Sequence, residues 1–211
     1  MALVSTANEK IDLRRARGAD TKALILDAAR DALATDGYAQ TTTRSIAERA
    51  GVQLSLVHYH FEGKQQLLAE VLTRENDRLL ERQRELFAGP GSVADKWRAA
   101  CAYLDEDLRS GYVRILWELW AVGLSEPDLA ERWRAAISGW RELIMHMAEE
   151  WSASLENPLP VSPRVLTTLV ANAFQGAEAE ILAGVDEQES PHLEALENIA
   201  DLIEWAEARK A

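Results

Sequence analysis

Prolines occur at only six positions of this 211-residue chain, and the segments between them carry the patterning of a succession of helices. The prolines stand at positions 90, 127, 158, 160, 163 and 191, within segments that carry Gly, Ser, Glu or Asn. Proline inside a helix removes a hydrogen bond and clashes with the preceding turn, so the long proline-free stretches are free to be helical. Within them apolar residues recur at spacings of three and four rather than alternating, which selects helix over strand. The reading is an all-α chain of about nine helices.

The first clear apolar stripe is Ile25, Ala28, Ala29, Ala32 and Leu33, with Asp20 as N-cap and Gly37 as stop. Two short helices fit between Thr42 and Phe61, and a long one runs from near Lys64 to about Phe87. Five more are expected at about 92–109, 111–123, 126–154, 162–184 and 190–209. In the third of these, Trp133, Ile137, Trp140, Ile144, Met147 and Trp151 form one seam at alternating spacings of four and three. Leu193, Leu196, Ile199, Ala200 and Ile203 form a similar seam near the C-terminus.

A formal charge of −12, taken as a whole, argues against a nucleic-acid partner, but its distribution does not. Residues 1–70 hold nine basic and nine acidic side chains, which leaves 14 basic and 26 acidic in residues 71–211, so the whole excess lies in the later part. The single cysteine, Cys101, cannot form an internal disulfide, and no apolar run approaches the ~20 residues of a spanning helix. The start, Met1 to Ser5, lacks the pattern of an export signal. These features lead to the expectation of a soluble cytoplasmic protein with no membrane partner.

The stretch from Thr41 to Phe61 reads as helix, glycine turn, helix. Thr42 caps the first helix, Ile46, Ala47 and Ala50 give it an apolar face, and Gly51 supplies the tight turn. With ~100° per residue and Val57 pointing inward, Ala50 and Phe61 fall within about 40° of Val57. Ser55 and Tyr59 then lie opposite at about 160° and 200°, Leu56 and His58 flank at about 100° to either side, and Leu54 and His60 are intermediate. That outward face suits base edges: serine donates or accepts, leucine touches a thymine methyl, and tyrosine and histidine reach phosphates or bases. Arg44 is the candidate for a bidentate contact to guanine. Lys64, at a helix N-terminus, is the candidate phosphate holder. His58 and His60 point about 160° apart, which does not make a metal site.

These residues resemble the helix-turn-helix domain of the tetracycline-repressor (TetR) family from about Ala23 through Leu68. The pieces that carry the resemblance are Asp36-Gly37-Tyr38, Thr42 with Ile46-Ala47, Ala50-Gly51-Val52, the run Val57-His58-Tyr59-His60-Phe61, and Lys64 with Leu67. The resemblance implies that Thr43, Arg44, Ser55, Leu56, His58, Tyr59 and Lys64 face an operator; Thr42, Gln53, Leu54 and His60 complete the candidate DNA-binding set. It also implies a homodimer whose C-terminal helices, here 162–184 and 190–209, pair as a four-helix bundle, and an inducer pocket in each C-terminal domain. Gln53 stands where the family often has a capping serine, Leu54 replaces a commonly polar or basic residue, and His58 replaces a common tyrosine. Trp117-Glu118-Leu119-Trp120 and Glu126-Pro127-Asp128-Leu129 look like the C-terminal domains of the betaine-regulator (BetI-like) branch, from which no ligand is carried over.

The domain reading is a flexible basic arm at 1–19, a DNA-binding domain at 20–66 and a ligand-binding and dimerisation domain at 67–211. Lys10, Arg14, Arg15, Arg17 and Lys22 are the basic residues expected to contact phosphates or the minor groove. Candidate effector-binding residues are Trp97, Cys101, Trp117, Trp120, Trp140, Asn172, Gln175 and Glu178. The alternative for the tryptophans and for Cys101 is a place in the core, and for Asn172, Gln175 and Glu178 a solvent or dimer face. Glu118, four residues after Arg114, reads as its intrahelical partner, and Asp105-Glu106-Asp107 as a solvated face. Tryptophan faces with carboxylates in an acidic domain favour a bulky apolar or cationic effector over an anion.

No Gly-rich phosphate loop, serine elbow or metal-ligand spacing points to an enzyme, and no cofactor is expected. The function expected is a dimeric repressor that binds a palindromic operator and is released by a small molecule. The alternative is a helical protein-interaction module without DNA binding.

Overall fold

The computed structural model describes the backbone of residues 2–156 and 159–208, and side chains from Gly18 onward. Among the described residues there are ten helical segments and no strand: α1 (Ala2–Gln40), α2 (Thr43–Ala50), α3 (Leu54–His60), α4 (Lys64–Ala88), α5 (Val93–Arg109), α6 (Tyr112–Gly123), α7 (Pro127–Ser154), α8 (Pro163–Leu182), α9 (His192–Glu197) and α10 (Ile199–Ala208). The chain divides into two compact units between Leu72 and Thr73, a boundary that lies inside α4.

In the N-terminal unit the stripe Ile25, Ala28, Ala29, Ala32 and Leu33 is buried, together with Ile46, Val57, Phe61, Leu67 and Leu68. Gly37 breaks the regular course of α1 with φ 79 and ψ 171, a conformation open to almost nothing but glycine. The adjoining Thr41 is buried and donates its hydroxyl to Gly37 O at 2.7 Å, which fixes the entry to α2. Asp20 lies inside α1 rather than at its start, because the helix already runs from Ala2. The segment read as an arm is thus helical in its backbone from Ala2 on, while the side chains of Lys10, Arg14, Arg15 and Arg17 lie outside the described ones. Lys22 ion-pairs with Glu70 at 2.6 Å.

In the C-terminal unit the helix starts follow their caps. Ser92 and Asp95 form a capping box at α5, and Ser162 with Pro163 opens α8. The helix expected over 190–209 is broken at Asn198, where Asp201 N–H reaches Asn198 O at 3.1 Å in a tightened turn that separates α9 from α10. Two buried clusters organise this unit. One gathers Cys101, Leu104, Tyr112, Val113, Phe174, Ala177 and Leu196; the other gathers Ala94, Trp151, Ala200 and Ile203. No described helix is long and apolar enough to cross a membrane.

Candidate functional site

The sequence builds the α2–α3 pair through short-range bonds. Ser45 N–H donates to Thr42 Oγ1 at 3.0 Å and Thr42 N–H donates to Ser45 Oγ at 2.9 Å, so each satisfies a backbone donor of the other. Gly51, at φ 67 and ψ 29, closes α2 in the left-handed region. Gln53 precedes α3 without a side-chain cap, which accords with its departure from serine at this place. Val57 is fully buried and Phe61 is 2% exposed, so the inner face of α3 is fixed by packing. Tyr59 on the opposite face is 80% exposed, Leu56 is 38% exposed, and Ser55 and His58 are also exposed; Leu54 and His60 are half-buried.

Burying a valine and a phenylalanine is worth about 1.5–3 kcal/mol each, so this packing, rather than the polar face, sets the rotation of the helix. Arg44 and Gln53 are exposed, and Thr43 is half-buried in the first turn of α2. Lys64 heads α4, but its ammonium is turned back on Tyr38, donating to Tyr38 O at 2.6 Å and lying 3.7 Å from the ring centroid. Partial burial lowers its pKa. Arg49 ties α2 to α1 by donating to Asp36 Oδ2 at 2.7 Å and Thr35 Oγ1 at 3.1 Å.

The C-terminal unit encloses a cavity of about 320 Å³, the size of small-molecule sites in general. Its wall is largely apolar. The α7 seam supplies Ile137, Trp140, Ile144, Met147 and Trp151, facing Trp97 and Leu104 of α5, Val113 of α6 and Phe174 of α8. Trp97 and Trp140 both meet Phe174 edge-on, at 5.5 and 5.8 Å between ring centroids. Polar groups enter from α4 (Asn76 and Gln83), α5 (Asp107), α6 (Tyr112) and α8 (Gln175 and Glu178).

Four of the eight candidate effector residues therefore line the cavity: Trp97, Trp140, Gln175 and Glu178. The other four do not. Asn172 is exposed, because one turn back along α8 the drift of the polar stripe has carried it to the solvent side. Cys101 is packed in the core, where burial pushes its thiol up to about 12. Trp117 sits behind the wall and donates its indole N–H to Glu178 Oε2 at 3.0 Å. Trp120 packs between Trp117 and Trp133, at 5.3 and 6.1 Å.

Sequence reasoning also placed Asp107 on a solvated face. Instead it lines the cavity, its carboxyl raised above the usual range by burial and held by Arg82 Nη2 at 2.6 Å. Asn76, Gln83 and Tyr112 were missed altogether. The spacing of seven between Asn76 and Gln83 on α4 was the signal for a shared face. Arg114 and Glu118 do form their i, i+4 pair at 2.8 Å.

The comparisons with known proteins bear on both units. Residues 25–71 match the family model of bacterial regulatory proteins, tetR family. An HTH-type transcriptional regulator of Mycobacterium tuberculosis is 27% identical over 190 residues, covering 85% of this chain and 94% of its own. The HTH-type transcriptional regulator UidR of Escherichia coli is 20% identical over 169 residues, covering 80% and 83%. Among solved structures, FadR from Bacillus subtilis in complex with stearoyl-CoA superposes with a TM-score of 0.69 at 17% identity, over 85% of this chain and 96% of its own. A transcriptional regulator from a Rhodococcus species gives 0.72 at 22% identity, over 88% and 95%. A capped helix pair with an outward recognition face, the family match across that pair and the fold shared over most of the chain converge on one assignment: this chain is a DNA-binding transcriptional regulator rather than an enzyme, and its residues 25–71 carry the helix-turn-helix of the tetR family of bacterial regulatory proteins.

Proposed function

We propose that the chain is an effector-released repressor that binds a palindromic operator as a homodimer. The observation that carries this reading is the face of α3, where Ser55, Leu56, His58 and Tyr59 stand outward while Val57 is fully buried. In this reading α3 enters the major groove, with Thr42, Thr43 and Arg44 of α2, and Gln53, Leu54 and His60 at the ends of α3, beside the phosphates and bases. Lys64 exchanges its contact with Tyr38 for a phosphate.

Exposed apolar side chains support dimerisation through 162–184 and 190–209. Val165 is 46% exposed, Leu169 56%, Leu182 41% and Trp205 59%, more apolar surface than two helices facing water would carry. The cavity supports a small-molecule effector. Such a molecule would release the operator by binding better to a conformation with wrongly spaced recognition helices, with α4 as the covalent link between pocket and DNA-binding unit. FadR from Bacillus subtilis, a structural neighbour, was solved with stearoyl-CoA, which accords with an effector for a protein of this fold.

Capture of genomic fragments by the purified protein at low salt, followed by fluorescence anisotropy on the enriched duplex, tests the reading. One dimer is expected per inverted repeat, with affinity falling steeply as salt rises. Absence of any enriched duplex, or a monomer by light scattering at working concentration, would overturn it.

A further inference from the structure

The cavity wall narrows the effector to a chemical class, a step that rests on the effector-pocket reading above. Of the described residues that line the cavity, only Asp107 and Glu178 carry a formal charge; none is a lysine, arginine or histidine. Asp107 is answered already by Arg82, which also stacks over Tyr103 at 4.2 Å. Glu178 is not. Its Oε2 accepts the Trp117 indole N–H, and among the described residues no basic side chain pairs with it.

A carboxylate taken out of water without a counter-charge is one of the costliest things a protein interior can hold. Here burial pushes Glu178 up to about 7, with the Trp117 bond opposing the rise and Asp107 adding to it. Asp107 of α5 acts on Glu178 directly, and the buried Tyr112 hydroxyl of α6 feels Asp107 and Glu178 together with Glu75 and Arg82 of α4. Among the described residues, Gln83 Oε1 is a further acceptor and Gln175 Nε2 a donor, both buried without a partner on lining residues. The polar wall thus offers neutral amide groups and negative charge but no positive charge, while Trp97, Trp140 and Phe174 offer aromatic surface that attracts cations. An anion would meet two carboxylates and no cation, and a wholly apolar molecule would leave Glu178 unanswered.

We propose that this cavity takes a lipophilic organic cation, an ammonium or amidinium group on an apolar body, with the Glu178 carboxylate as its counter-ion. Trp117 then acts as a positioning residue that fixes the carboxylate through its N–H.

The test uses the full-length protein and three probes of one shape: 4-phenylbutylamine, 4-phenylbutanol and 4-phenylbutyrate, titrated by calorimetry and tryptophan fluorescence at about pH 8. The amine is expected to bind at least about thirtyfold tighter than the alcohol, the low end of what losing one partner of a buried charge pair costs. The carboxylate should bind weakest of the three. Glu178→Gln should bring the amine down to the level of the alcohol, and Glu178→Asp should keep part of the preference. In the unsubstituted protein the amine's affinity should rise from about pH 6 to about pH 8 as Glu178 loses its proton, the amine staying protonated throughout with a pKa near ~10. Equal binding of amine and alcohol, tighter binding of the carboxylate, or an unchanged preference in Glu178→Gln would overturn the cation assignment and leave the effector pocket standing. Binding of none of the three would overturn the pocket reading and the cation with it.

Discussion

Glu178→Gln is expected to stabilise the ligand-free protein, and only above acidic pH. The carboxyl is held at about 7 against an ordinary 4.5 because burial penalises its charged form. Below the ordinary value it is protonated in both the folded and the unfolded chain, and its full contribution to stability is present. Between the two values the unfolded chain gives up the proton first, so stability falls as pH rises and levels off above about 7. At ~1.4 kcal/mol for each tenfold in proton affinity, the gap comes to about 3 kcal/mol lost by about pH 8. Glutamine has nearly the same shape and keeps an acceptor for Trp117, but has no charge to desolvate. At about pH 8 the variant should therefore exceed the parent by up to about 3 kcal/mol, or roughly 6–12 °C in melting temperature for a chain of this length. At about pH 5 the excess should shrink to below about 1 kcal/mol. Urea denaturation followed by tryptophan fluorescence at both pH values, at one protein concentration, measures the difference. Asp107, also raised by burial, contributes with the same sign to both proteins and cancels to first order in the comparison. A variant no more stable than the parent at about pH 8, or more stable by the same margin at both values, would refute the reasoning.

Three further outcomes are expected. Gly37→Ala should cost about 1–3 kcal/mol, because φ 79 with ψ 171 admits almost no side chain; a urea titration reads it, and an unchanged midpoint would contradict the backbone assignment. Tyr59→Ala should leave the melting curve within ~0.5 kcal/mol, since the ring is 80% exposed, yet weaken operator binding by about tenfold or more in anisotropy; equal affinity would remove Tyr59 from the interface. Cys101, with its thiol pushed up to about 12, should react with a thiol reagent at about pH 8 only as fast as the protein opens, and burst labelling of the native protein would contradict its burial.

The helix-turn-helix was legible because its logic is short-range. Thr42, Gly51 and the inward Val57 act within a few residues of themselves, so spacing along the chain is spacing in space. The same holds for the α7 seam, five of whose six residues line the cavity. Trp133 drops out where the seam reaches Trp120. The errors came where a residue's surroundings are set by distant segments. Asp107 sits in a run of three acidic residues, a pattern that ordinarily marks a wet surface, and only the approach of Arg82 and the cavity made it an interior group. Asn172 and Glu178 share one polar stripe on α8, yet its drift carries one to solvent and the other to the cavity. Asn198 breaks the last helix with no proline or glycine to announce it.

Periodicity and capping alone determined that this chain is a string of helices, where nearly every one begins and ends, and which face of α3 is left for a partner, since each of those outcomes is decided within about two helical turns. What the chain encloses was decided only by tertiary packing. Gln83, Asp107, Tyr112, Trp140 and Glu178 come from five different helices, and their meeting around one cavity depends on how those helices cross. The charge balance of that cavity, one carboxylate answered by Arg82 and one left to Trp117 alone, follows from contacts 25 and 61 residues apart in sequence, beyond the reach of any local pattern.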